Sequence, residues 1–500
     1  MLRVPLAALA ATLVLASTAE ARDVVVTSFD GTPIAAHLYP AEGLAPGQRA
    51  PTVLVGHGWG GRGSTDPESS SPPGGTVGNG PLRRAGYNVL SWDARGFGAS
   101  GGVVQVDAPR AEARDVQALL DFLATAPEAR LDGPGDPRAG MVGGSYGGGI
   151  QLTTAAIGER RVDAMVPDIA WHSLATSLYP DATFKSGWGN ALVAAGRAGA
   201  NPLGGGLDPH VTRAADEANA TGELSAADRR WYESRGPGAA LSRSRIPTLL
   251  TQGTPDTLFP LDEAARNYAI LRKAGAPVKM LWHCGGHSPC TTPGGNGDDT
   301  GHVERAVLAW LARHLAGDAR VDTGPGFEWL ADDGRWRQGS EYPLPAGAVL
   351  AGRGSGRLKL RPSATPAGDA FASRPARGGI EVAVPAPRRT AQVASAPRLT
   401  MTYRGTGAPR GARVFAQIVD TRHRVVLGNE ATPIPVVLDG RRRTVSRRLE
   451  IVAVALRASS RLRLQVIGAA GLYGRQRADA SLAASRVRIA LTTVGPRENR

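Results

Sequence analysis

Arg138-Ala-Gly-Met-Val142, then Gly143-Gly-Ser145-Tyr-Gly147, then Gly148-Gly-Ile-Gln-Leu-Thr-Thr-Ala-Ala-Ile157 is the stretch that decides the reading of this chain. A short apolar run ends at Val142, and a run able to start a helix begins at Gly148. Between them Ser145 sits in the G-x-S-x-G pattern. A sharp strand-to-helix turn needs small residues on both sides, because its backbone is strained and closely approached. The turn pushes the hydroxyl outward as a nucleophile.

A serine hydroxyl needs a base to take its proton and an acid to hold that base in the right tautomer. The chain offers both, in the order serine, acid, histidine. The strand predicted at 247–251 leads into Gly253-Thr-Pro-Asp256, and the strand predicted at 278–282 leads into His283-Cys-Gly-Gly-His287. Both follow strand ends, where α/β sites gather. Asp256 is the expected acid; Asp262 and Glu263 fall inside the next predicted helix. His287, beyond Gly285-Gly286, is the expected base, and His283, directly after the strand, is its rival. A zinc site of His283, Cys284, His287 and Cys290 has suitable ligand types but crowds four ligands into eight residues. No metal or cofactor is expected.

The oxyanion of acyl transfer needs two placed donors. One is expected from the backbone N–H of Tyr146. The other is expected from the N–H of Trp59 in His57-Gly-Trp-Gly-Gly61, after the apolar strand Thr52–Val55. Asp93 and Arg95 read as structural, pairing or capping loops near the site.

Working outward, Val24–Phe29 and Ile34–Tyr39 form a predicted hairpin around Asp30-Gly31. Strands follow at 52–55, 88–92 and 162–166. Val116, Leu119, Leu120 and Leu123 keep helical spacing. Strands alternating with helices predict a doubly wound, mostly parallel sheet. The alternation breaks over 171–243, which reads as an inserted helical cap. Its aromatics, Trp171, Tyr179 and Trp188 among them, are candidates for lining a substrate pocket. The predicted catalytic domain therefore comprises 22–170 and 244–316. Residues 317–346 read as a linker, and 347–500, with period-two strands, as an all-β sandwich or jelly roll.

At 500 residues the chain is too long for one ordinary domain. Arg3, the apolar run Val4–Ala16 and Ala19-Glu20-Ala21 form an export signal over 1–21, too short an apolar run to span a membrane comfortably. The expected location is secreted or periplasmic, without membrane insertion. Cys284 and Cys290, the two cysteines of the chain, then form an expected disulfide. The net charge of +14 is uneven: +20 over 353–500 and −6 elsewhere. Weak contact with anionic surfaces is one reading; a general preference for arginine, with four lysines in the chain, is the plainer one. Nothing in the sequence points to nucleic acid.

Taken together and in order, His57-Gly-Trp-Gly-Gly, Asp93-Ala-Arg-Gly-Phe-Gly-Ala-Ser, Gly143-Gly-Ser-Tyr-Gly-Gly, Gly253-Thr-Pro-Asp-Thr-Leu-Phe-Pro and Gly285-Gly-His-Ser resemble the α/β-hydrolase fold. The elbow, the stretch Val166-Pro-Asp-Ile-Ala-Trp171 and the C-terminal β region are similar to the Xaa-Pro dipeptidyl-peptidase and cocaine-esterase-like family of serine hydrolases. The resemblance implies a triad of Ser145, Asp256 and His287, a noncatalytic jelly roll, and cleavage of Xaa-Pro peptides, esters or amides. The chain departs from the family at His57-Gly-Trp-Gly, where many members carry a Pro-Tyr motif whose hydroxyl is an oxyanion donor. The expected substrate is a small ester, amide or peptide. The alternative from another class is a noncatalytic surface-binding protein acting through the basic β domain.

Overall fold

The computed structural model describes residues 20–70, 77–290 and 299–495. The export signal expected over 1–21 lies outside them, apart from its last two positions.

A ten-stranded sheet organises the first two thirds of the chain. Named by first residue, its strands lie in the order Arg22, Pro33, Asn88, Thr52, Ala139, Val162, Thr248, Val278, Phe327 and Trp336. The seven from Asn88–Trp92 to Phe327–Leu330 run parallel. The hairpin of Arg22–Thr27 with Pro33–Tyr39 joins one edge antiparallel, and Trp336–Gly339 joins the other. The central strands are buried along their whole length, as a sheet covered on both faces requires. Strand alternation divides their side chains between two cores. Leu54, Leu90 and Met141 pack beneath Glu112–Leu123, Tyr146–Ala156 and Leu261–Ala274. Val53, Val55 and Val89 pack beneath Asn79–Arg84 and Asp299–His314.

Residues 171–243 hold helices and no strand of the sheet: Leu174–Leu178, Ser186–Gly199, Pro209–Thr221 and Ala226–Glu233 cover the carboxyl ends of the parallel strands. The stretch 317–346 is more than a linker. Its Phe327–Leu330 and Trp336–Gly339 complete the sheet, because Phe327 and Trp329 are fully buried against it and against Trp282. From Ala346 the chain is antiparallel. A four-stranded sheet faces a five-stranded one across a core that includes Leu399, Met401, Val487, Val414 and Leu464. The strand Arg398–Thr406 shows the expected period, with Leu399 and Met401 inside and Arg398 and Arg404 in water. Among the described residues no helix is long and apolar enough to cross a membrane.

Candidate active site

Ser145 follows the strand Ala139–Gly144 and precedes the helix Tyr146–Ala156. Its backbone has φ 55° and ψ −115°, a region L-residues avoid. The crowding that holds it there is visible next door. A Cβ on Gly147 would overlap the backbone of Gly56, and Gly143 sits at φ 151°. Buried Gln151 ties the turn together. Its Nε2 donates to the carbonyls of Gly143 and Gly147, and its Oε1 accepts from the Val166 amide.

Ser145 Oγ lies 2.8 Å from His287 Nε2, and His287 Nδ1 lies 2.7 Å from Asp256 Oδ2. The three residues follow the carboxyl ends of three parallel strands. Asp256 is fully buried, yet every lone pair has a use: Oδ2 also accepts from the His287 amide, and Oδ1 accepts from the amides of Leu258 and Phe259. Those donors satisfy a buried polar group that would otherwise be costly to desolvate. With Asp256 accepting at Nδ1, His287 presents Nε2 as a base toward the serine.

The rival acids are employed elsewhere. Asp262 accepts from the guanidinium of Arg448 and from the Ile451 amide, and Glu263 accepts from the His172 amide and the Thr176 hydroxyl. His283 pairs with Asp168 instead, Nε2 to Oδ1 at 3.0 Å. Cys284 and Cys290 are joined in a disulfide with Cα atoms 5.2 Å apart, so neither sulfur is a thiolate for zinc. Among the described residues no cluster of metal-ligating side chains exists.

Tyr146 opens its helix, so its amide has no carbonyl to bond within the helix and stands beside Ser145 at the positive end of the dipole. Trp59 sits in a turn closed by the Gly61 amide on the Gly58 carbonyl. Its ring packs edge-on to Tyr146 at 5.2 Å, and its indole N–H donates to the Leu192 carbonyl at 2.7 Å. Its side chain is therefore occupied, and the backbone amide is the group it offers. His57 is structural. Nδ1 donates to the Gly58 carbonyl, Nε2 accepts from the Ala94 amide, and burial holds the ring neutral. Asp93 caps two loops through the amides of Gly63 and Ala99, while Arg95 pairs with Asp115 and Asp30 rather than with Asp93.

A cleft opens at Ser145 and runs beneath the cap. Its walls include Trp59, Trp171, Leu178, Val193, Tyr232 and Phe259, and among the described residues that line it none is charged. Of the three aromatics expected to line a substrate pocket, Trp171 is among these walls, and Tyr179 and Trp188 lie beside the cleft in other surroundings. Tyr179 is buried in the cap core with its hydroxyl accepting the Leu224 amide. Trp188 lies edge-on to His287, ring centres 6.0 Å apart, and covers the base rather than the cleft. Three further residues have no role assigned from the sequence, although Asp168 lies in the stretch Val166–Trp171 quoted above. Lys185, fully buried, donates to the Thr257 carbonyl at 2.6 Å, and Asp168 and Gln151 hold the elbow from behind.

A family model described as X-Pro dipeptidyl-peptidase (S15 family) matches residues 30–289. Among solved structures, the chain is similar to an α-amino acid ester hydrolase, at 13% identity and TM-score 0.71 over 95% of this chain and 96% of that one. It is similar to an aminopeptidase from a marine sediment Thaumarchaeota archaeon, at 14% identity and TM-score 0.68, covering 95% and 96%. It is also similar to a CocE/NonD family hydrolase from Staphylococcus aureus, at 14% identity and TM-score 0.66, covering 94% and 93%. At these identities the likeness establishes the fold. No curated protein matches the sequence. The matched segment carries the elbow, the acid and the histidine in one frame, and the chain belongs to the S15 family of X-Pro dipeptidyl-peptidases, with the α/β-hydrolase fold.

Proposed function

We propose that this serine hydrolase cleaves esters or amides whose acyl group is apolar and uncharged, with Ser145 as nucleophile, His287 as base and Asp256 as the residue that orients it. The observation that carries the reading is a hydrogen-bonded Ser145–His287–Asp256 chain opening on a cleft without a charged wall. Ser145 Oγ attacks the carbonyl carbon while His287 Nε2 takes its proton. The tetrahedral oxyanion is held by the amides of Tyr146 and Trp59. His287 returns the proton to the leaving alcohol or amine, and water then attacks the acyl-enzyme by the same route in reverse. A peptide with a free amino terminus would bring an ammonium into this apolar cleft, where no carboxylate among the described lining residues receives it, which costs binding. Export through the segment 1–21, and weak electrostatic contact of the basic β domain with anionic surfaces, belong to the same proposal.

The test is labelling by a fluorophosphonate probe, then turnover of p-nitrophenyl esters of varied chain length beside Ala-Pro and Gly-Pro arylamides. Labelling of wild type and not of Ser145→Ala, with kcat/KM rising with acyl size, is expected. Preference for the free-amino dipeptide arylamides would replace the acyl specificity with a peptidase one. Labelling that survives Ser145→Ala would overturn the triad.

A further inference from the structure

Thr257 and Ser288 each directly follow a triad residue, Asp256 and His287, and both are buried. Their hydroxyls lie 3.0 Å apart, and the Thr257 amide points to Ser288 Oγ at 3.3 Å. Both hydroxyls converge on one acceptor, the backbone carbonyl of Phe371, at 2.6 Å from Thr257 and 3.3 Å from Ser288. Phe371 is not in the catalytic domain. It lies between the strands Ala346–Leu360 and Ile380–Val384 of the β domain.

The carbonyl is fixed in place from its own side. Asp369 Oδ1 accepts the amides of Phe371 and Ala372, and a Cβ on Gly187 of the cap helix would overlap the carbonyl of Ala370. The Phe371 ring packs on Trp188 at 4.6 Å, and the Trp188 indole donates to Thr257 Oγ1 at 3.0 Å. Catalytic domain, cap and β domain therefore meet at the Thr257 hydroxyl, which donates its one proton to Phe371 O and accepts from Trp188, while Ser288 has one proton to give to either Phe371 O or Thr257 Oγ1.

We propose that the Asp369–Ala372 loop of the β domain is a positioning element of the triad, acting through Thr257 and Ser288 to set the Asp256–His287 register. The proposal rests on the triad reading above. The Asp256 and His287 loops are joined directly by the triad hydrogen bond and the His287 amide, and both contacts lie on the side chain of Asp256. The Thr254 amide on the His283 carbonyl joins them before the triad residues. The hydroxyl pair joins them again after the triad residues, one residue further along each loop, and ties that joint to an external fixed point. The triad pair is thereby held from both sides. Misplacement of a reacting group by about 1 Å costs about 10²-fold in rate. The β domain would in this way be required for turnover.

Three variants test it, assayed in the full chain on a p-nitrophenyl ester with Ser145→Ala as the dead reference. Thr257→Val keeps the shape and removes the hydroxyl; kcat is expected to fall on the order of 10 to 10²-fold with KM within threefold. Thr257→Ser restores the hydroxyl and should return kcat to within threefold of wild type. Gly187→Ala touches neither the triad nor Thr257, favours its helix, and pushes the 369–372 loop away; it should lose kcat in the same way while its melting temperature holds. If Thr257→Val does not fold, Gly187→Ala decides. Wild-type kcat in Gly187→Ala or in a folded Thr257→Val, while Ser145→Ala is dead, overturns the positioning role and leaves the triad standing. Activity in Ser145→Ala overturns the reading beneath it.

Discussion

Asp168 Oδ1 accepts a hydrogen bond from His283 Nε2 at 3.0 Å, forming a second acid–histidine pair beside that of Asp256 and His287. The two histidines are four residues apart, and their partners decide their roles. Asp168 also accepts the Thr251 hydroxyl at 2.7 Å, and its backbone carbonyl accepts the Ser145 amide at 2.9 Å. The pair thus laces three parallel strands behind the elbow, while His287 alone reaches Ser145 Oγ. His287→Ala should lower kcat on the order of 10⁶-fold, as removal of a triad member does. His283→Ala should keep kcat within tenfold but destabilise by about 1–3 kcal/mol, since it leaves Asp168 short of a buried donor. Ester kinetics and urea unfolding on the two variants read both effects, and exchanged severities would make His283 the base.

Trp59 gives a prediction of the opposite kind. Its indole N–H is committed to the Leu192 carbonyl, so the oxyanion donor it offers is its backbone amide. Trp59→Phe should hold kcat on small esters within a few-fold and raise KM for bulky acyl groups. A fall of about 10² to 10³ in kcat, the cost of deleting a side-chain donor, would place the indole itself in the oxyanion hole.

Glu430 lies buried where the β domain meets the catalytic domain, and among the described residues neither carboxyl oxygen has a hydrogen-bond partner. Burial, with Asp256 and Asp262 nearby and Lys185 opposing, pushes its carboxyl up to about 8. A carboxyl raised on folding binds its proton more tightly in the native state. Its contribution is fully present below about pH 4.5 and is lost as pH rises toward 8. Each unit of such a shift is worth about 1.4 kcal/mol. Glu430→Gln should therefore flatten the fall in unfolding free energy between pH 5 and 8, and should be the more stable protein at pH 8. Parallel pH profiles for variant and wild type, from urea titrations, would mean that Glu430 titrates normally.

The sheet, the elbow and the triad were legible because each has a local signature. Apolar runs such as Thr52–Val55 and Asn88–Trp92 carry the buried parallel strands, and Gly-flanked turns carry Ser145 and His287. Phe327–Leu330 was hidden because four residues between Gly326 and Ala331 look like linker, and only pairing with Val278–His283 makes them a strand. Composition shows that the cap is aromatic, but where Tyr179 and Trp188 sit depends on how each cap segment is turned toward its neighbours, which composition does not encode. Phe371 and Lys185 reach the Thr257 loop from 114 and 72 residues away, and no local pattern encodes such a meeting.

The last prediction concerns the ring that carries the base. Cys284 and Cys290 bracket His287, with Gly285 at φ 121° and Gly286 at φ 94° between. Both glycines adopt a backbone that L side chains rarely take, and Gly286 is also crowded. A Cβ on Gly286 would lie 2.6 Å from Asp256 Oδ2, inside the triad itself, so Gly286→Ala should abolish turnover while leaving the fold intact. Two glycines in succession also leave the segment little stiffness of its own, and a catalytic group must be held within about 0.5 Å of its productive position. A ring this short contributes only about 2 kcal/mol through loop closure, so global stability is a weak reason for the disulfide. Local restraint on His287 is the stronger one. Mild reduction, or the double variant Cys284→Ser with Cys290→Ser, should lower kcat at least tenfold while the melting temperature moves by only a few degrees. The unreduced tryptic peptide Met280–Arg305 should weigh two hydrogens less than its reduced form. A reduced enzyme with wild-type kcat would show that packing of Trp188 and Phe259 around the ring, centred 6.0 and 5.0 Å from it, holds His287 without the bridge.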